Sequence, residues 1–151
     1  MKPFNFGLEK VLNLRKHYED EAKIELGKAV GILAALESRL YAVGRERVKA
    51  ASEQFVPGNS AAMMQQYMFY ILRLDNTKEE LLKETALAEM KVDEAREGFL
   101  EASRERKVLD KLKDKRYKEY RKENLNEEMK TLDDISAAGR SLELGAYSIG
   151  N

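Results

Sequence analysis

The chain has 151 residues, no cysteine and no tryptophan, and its 27 basic and 27 acidic side chains cancel. Zero net charge argues against a generic polyanion binder, and 36 % charged residues with just two prolines, Pro3 and Pro57, point to long helices rather than a globule. The start, Met1-Lys2-Pro3-Phe4-Asn5-Phe6-Gly7, has no apolar run of signal-peptide type.

A first helix is expected over about residues 7–54. Steps of four and three from Leu8 visit Leu12, Arg15, Glu19, Ala22, Leu26, Ala29, Leu33, Leu36, Leu40, Val43 and Arg47, and most of these are apolar. That is the seam of a coiled coil. Gly27 and Gly31 lie near Ala22 and Ala29, so close backbone approach is expected there, at some cost in helix stability.

The strong break is Val56-Pro57-Gly58-Asn59-Ser60, a turn over 56–60. Pro57 disfavours helix at Val56, Gly58 reaches positive φ cheaply, and Ser60 can cap a new helix. A second helix follows over about 61–130. Stepping from Tyr67 gives Ile71, Leu74, Lys78, Leu81, Thr85, Ala88, Val92, Ala95, Phe99, Ala102, Arg106 and Leu109, with Lys78, Thr85 and Arg106 as exceptions. Folding the chain at the turn matches the seams: Leu8 with Leu109, Ala29 with Ala88, Leu36 with Leu81 and Val43 with Leu74 all centre on Gly58 and Asn59. The expected fold is therefore all-α, a long antiparallel two-helix coiled coil over residues 1–135. Beyond about Lys113 the second helix should overhang its partner. Residues 136–151, dotted with Gly139, Ser141, Gly145, Ser148 and Gly150, read as a flexible C-terminal tail.

Two stretches attract attention as docking surfaces. From Gln54 to Leu72 no residue is charged, and the run Met63, Met64, Tyr67, Met68, Phe69, Tyr70, Ile71, Leu72, Leu74 is apolar nearly all round. One seam covers one stripe, so part of this run stays exposed unless residues 53–60 fold back over it. Exposed Met and aromatic surface marks a protein-docking patch. Interrupted by Pro57, Gly58, Asn59, Gln65 and Gln66, the run is no membrane span. The second stretch is basic: ten bases against four acids from Ser103 to Lys122, after nine acids against four bases from Asp75 to Glu101. Such a run is commonly a solvated helix face, but here the overhang leaves it without an intramolecular partner. Asp110, Asp114, Glu119 and Glu123 interleave with its bases and would repel phosphates, so no nucleic-acid partner is expected.

No enzyme is expected. A two-helix rod offers no pocket on which catalytic groups converge. The lone His17 reads as a surface helix residue, and no metal or cofactor site is expected. Glu79-Glu80 and Glu127-Glu128 are adjacent and point to different faces.

The opening Phe4-x-Phe6-x-Leu8-Glu9-Lys10-Val11-Leu12-x-Leu14-Arg15, then Glu19-x-x-Ala22 and Glu25-Leu26, resembles the N-terminus of the flagellar export protein FliJ family. So does Arg106-Lys107-Val108-Leu109-x-Lys111-Leu112-x-x-Lys115 before Tyr117-x-x-Tyr120, so the resemblance covers roughly residues 4–125. It implies a component of the bacterial flagellar type III export apparatus, cytoplasmic and peripheral to the membrane through protein partners. It further implies an antiparallel coiled coil similar to the terminal helices of a rotary ATPase gamma subunit. The implied partners are the export ATPase FliI, whose hexamer encloses the paired ends, the cytoplasmic domain of the export gate FlhA, and substrate chaperones. On this chain the gate contact would fall on Met63, Tyr70 and Leu74, and the ATPase contact on Lys111, Lys115, Arg116, Lys118, Arg121 and Lys122. A rod with its termini at one end and a patch at the other would bridge partners ~60–70 Å apart at ~1.5 Å per residue. The rival readings are a structural coiled coil that self-associates through the patch, and a central-stalk subunit of a rotary ATPase. The stalk reading is disfavoured because no globular insertion separates the helices.

Overall fold

The computed structural model describes residues 2–148. Two helices, α1 (Glu9–Gln54) and α2 (Ala61–Ser148), pack against each other as an all-α helical hairpin, with no strand among the described residues. The chain divides into two compact units, Arg15–Arg104 and, from the two ends of the chain, Met1–Leu14 with Glu105–Asn151.

In the Arg15–Arg104 unit the coiled-coil periodicity decides which side chains are covered. On α1, Arg15, Glu19, Ala22, Leu26, Ala29, Leu33, Leu36, Leu40 and Val43 are half-buried while their neighbours, Gly44 apart, are exposed. On α2 the partners are Ile71, Leu74, Leu81, Thr85, Ala88, Val92, Ala95 and Phe99, with Leu81, Ala88 and Val92 buried. Thr85 is tolerated in the seam because its hydroxyl donates to the Leu81 carbonyl at 2.7 Å, so no polar atom is left unpaired. Lys78 departs from the expected seam. It is exposed, and Thr77 takes the half-buried place instead. From Leu74 the covered positions step three to Thr77 and four to Leu81, where the seam rejoins the expected register. Ser103, outside the expected seam, is buried as well.

The reversal in this unit is held by side chains. Gly58 has φ 99°, a backbone state that favours glycine. Asn59 donates its side-chain amide to the carbonyls of Glu53 (2.8 Å) and Gln54 (3.2 Å), and so satisfies the open end of α1. Ser60 caps α2: its hydroxyl accepts from the Met63 amide at 3.2 Å. Across the seam, Gln54 donates to the Met64 carbonyl, Tyr67 to Glu53 and Tyr70 to Glu46, each at 3.3 Å. Arg47 pairs with Asp75 at 2.5 Å, which raises the pKa of the guanidinium further through that hydrogen bond and charge. These pairs centre within residues 58–61, at or just past the turn expected from the heptads.

In the unit built from the chain ends, two expectations are corrected. Coverage of α2 does not stop near Lys113, because residues 2–6 precede α1 as a strap along it. The Lys2 carbonyl accepts from the Tyr120 hydroxyl at 2.6 Å, and Phe4 packs on Tyr117 and Tyr120 with centroids 5.2 and 5.4 Å away. Phe6 is 7 % exposed and Leu12 fully buried, and Lys113 donates to Glu9 at 2.9 Å. Helix α2 also continues past the expected end near 130, so residues 136–148 are helical. Leu, Ala, Glu and Arg propensities outweigh Gly139 and Gly145 there, while every side chain from Leu125 to Ser148 is exposed. Ile149, Gly150 and Asn151 of the expected tail lie outside the described residues.

The close approach expected at Gly27 and Gly31 is not found: both are exposed, and an added Cβ would meet nothing. In the seam the small residues are the alanines. Gly31→Ala should therefore raise stability by about 0.5–1 kcal/mol, whereas Leu12→Ala should lower it by about 2–5 kcal/mol. Urea unfolding of the two variants checks both the signs and their order.

Candidate docking surfaces

Near the turn, the first four residues of α2 follow the Ser60 cap and the next turns carry more large apolar side chains than one seam can take. Met63, Met68, Phe69, Tyr70 and Leu72 are all exposed, as are Phe55 and Val56 between the two helices. Residues 53–60 therefore do not fold back over the run. Met63 and Tyr70 meet in a shallow depression that Gln66 and Tyr67 complete. Two of its side chains reach across to α1: Tyr67 and Tyr70 each donate a phenol hydrogen bond to a glutamate, Glu53 and Glu46. Leu74 is not part of this depression. It is half-buried in the seam, one helical turn beyond Tyr70. Of the three side chains expected to act together, the structure joins two and gives the third a packing role.

The basic stretch lies in the other unit. Lys111, Lys115, Arg116, Lys118, Arg121 and Lys122 are exposed along α2. Arg116 also lines a groove of about 820 Å³ between the strap and α2, with Pro3, Phe4, Tyr120 and the acids Glu119, Glu123 and Glu127. The strap is the element that periodicity could not reveal. Phe4 and Phe6 alternate in a non-helical segment and carry no 3.6-residue signal; the available hint is a pair of tyrosines three apart, Tyr117 and Tyr120, facing a pair of phenylalanines.

His17 lies on the exposed face of α1, with Nε2 3.0 Å from Glu21 Oε1. No group of three or more His, Asp or Glu side chains among the described residues could hold a metal ion. No helix among them is long and apolar enough to cross a membrane.

The family of flagellar FliJ proteins matches residues 4–141, nearly the whole chain and further than the motifs at 4–125. The chain belongs to the FliJ family. As a member, it is a component of flagellar type III export. It is 26 % identical over 136 residues to the flagellar FliJ protein of Bacillus subtilis strain 168, covering 88 % of this chain and 92 % of that one. The fold is similar to that of a solved Chlamydia trachomatis protein described as a YscO homolog. There the identity is 19 %, the TM-score 0.58, and the cover 93 % of this chain and 98 % of the other. The FliJ-type opening Phe4-x-Phe6-x-Leu8 now has a physical role, because Phe4 packs on Tyr117 and Tyr120 of α2 and Phe6 is buried.

Loss of that anchorage should be visible locally. With Phe6→Ser, backbone amides of residues 4–8 should exchange at least tenfold faster in hydrogen–deuterium exchange, while those around Leu81 and Val92 keep their protection.

Proposed function

We propose that this chain bridges the flagellar export ATPase and the export gate and assists delivery of substrate–chaperone complexes, without catalysis of its own. The observation that carries the reading is the pair of chemically different surfaces the hairpin leaves open. One is the apolar depression at Met63, Tyr67 and Tyr70; the other is the row of exposed bases from Lys111 to Lys122. Membership of the FliJ family supports assigning the first to the cytoplasmic domain of FlhA and the second to the FliI hexamer. Residence at the cytoplasmic side of the cell membrane then follows from these protein contacts. In this reading Tyr70 enters a groove of the gate as an anchor, Met63 adapts beside it, and Leu74 holds the helix beneath them. The six bases face an acidic bore, where attraction is long-ranged but screened over ~8 Å at physiological salt.

Tyr70→Ala should leave the thermal melt nearly unchanged, because the side chain is exposed and its hydroxyl makes one surface hydrogen bond. Truncation of a hot-spot anchor costs roughly 2–4 kcal/mol of binding. Affinity for the FlhA cytoplasmic domain, measured by calorimetry, should accordingly fall at least tenfold. A large drop in melting point with unaltered binding would instead make Tyr70 a packing residue.

Reversal of Lys115, Arg116, Lys118 and Lys122 to Glu should abolish most stimulation of FliI ATPase activity while circular dichroism keeps its helical amplitude. In the unaltered protein, stimulation should weaken as salt rises. Stimulation indifferent both to salt and to the charge reversal would move the ATPase contact elsewhere.

A further inference from the structure

Outside the shared seam, α1 carries a second heptad row. Ala34, Tyr41 and Val48 recur every seven residues, Phe55 continues the row just past the helix end, and Gly44 and Ala51 fall three residues after Tyr41 and Val48. This is the spacing with which a helix presents a seam to another helix. Its large side chains are uncovered by any described residue: Tyr41, Val48 and Phe55 are 70 %, 69 % and 72 % exposed. The row also has a hole. Gly44 has open space above it, and with Tyr41 and Val48 it floors a depression flanked by Arg45 and Lys49. Arg45 lies over the Tyr41 ring at 5.7 Å, so the positive flank is ordered against the aromatic wall.

The far part of α2 shows the converse pattern. Leu132, Ile135 and Leu142 share one face with Gly139, and these three apolar side chains are exposed on a stretch of helix where every described side chain from Leu125 to Ser148 is exposed. Glu127 and Glu128 line the depression beside Leu132. Residues 125–146 carry five acids against two bases, and residues 34–55 carry four bases against three acids, with Arg45 and Lys49 the bases that flank the Gly44 depression.

Either row paired with its own copy would set like charges side by side, acid on acid or Arg45 and Lys49 on their equivalents. Paired with each other, they match apolar row to apolar row and acidic flank to basic flank. We infer that the α2 end of one molecule, residues 125–146, docks in the outer row of α1, residues 34–55, of a second molecule, with an apolar side chain of the α2 end seated over Gly44. The contact is heterologous, since each molecule offers one donor row and one acceptor row. It uses neither Met63 and Tyr70 nor the six bases of the export reading, and stands or falls separately from it.

Sedimentation of the full-length chain across concentration, with variants in each row, tests the contact. The unaltered protein should associate as concentration rises, and less so as salt rises. Val48→Glu and Leu132→Glu, both at exposed positions, should keep their helical circular dichroism, and each alone should associate at least tenfold more weakly. An equimolar mixture of the two retains one intact acceptor and one intact donor row and should form a heterodimer and nothing larger. A chain that stays monomeric throughout overturns the inference. So does a mixture that associates no better than either variant alone, because that outcome describes a symmetric contact, and so does full association by one variant, which places the contact elsewhere.

Discussion

A pair of helices has one shared seam, and which residues enter it is decided where the chain reverses. Here the reversal is secured by Asn59, whose amide bonds to the carbonyls of Glu53 and Gln54, with Gly58 in the backbone state that lets the chain come round. Ser60 then starts α2 in a fixed phase. A shift of one residue at this point would rotate α2 by about 100°. It would carry Leu81, Ala88 and Val92 out of the seam and the charged neighbours in. The apolar depression near the turn depends on the same phase, because Met63 and Tyr70 face outward only while Ile71 and Leu74 face inward.

The seam itself is lean. Alanines occupy many of its positions, and few side chains are fully buried. The large apolar residues that a globular protein would place inside are instead spread over the surface, among them Ile24, Ile32, Tyr41, Leu87, Met90 and Leu142. Exposed apolar residues standing singly need no explanation, but those that share a helical face with a repeat are surfaces prepared for other helices or grooves. The proposed contacts therefore all rest on what the hairpin leaves uncovered.

Much of this was legible in the sequence because helical periodicity reports burial directly. The covered positions of α1 from Arg15 to Val43 follow the four-three stepping residue by residue, and Pro57 with Gly58 locates the reversal. Where the reading departed from the structure, periodicity carried no information. The strap, Lys2 to Phe6, is not helical, so Phe4 gave no sign of lying on Tyr117 and Tyr120, nor Phe6 of being buried. Lys78 was placed by a stepping rule that the helix locally shifts in favour of Thr77. The length of α2 was underestimated because glycines were weighed above the helix formers between them. As for the docking surfaces, an excess of apolar residues after the turn could be counted in the sequence. That Leu74 would turn inward while Met63 and Tyr70 share a depression could not.

The arrangement of contacts also orders how the chain can assemble. Partners near the turn are close in sequence, ten residues apart for Gln54 and Met64 and 28 for Arg47 and Asp75, whereas Glu9 and Lys113 are separated by 104. Closing the longest of these loops directly would cost roughly 2 kcal/mol more chain entropy than closing the shortest. Once the inner pairs are made, each further pair closes a short remaining loop. The economical route is thus a zipper that starts at Asn59 and runs outward, with the strap over Tyr120 as its last tooth.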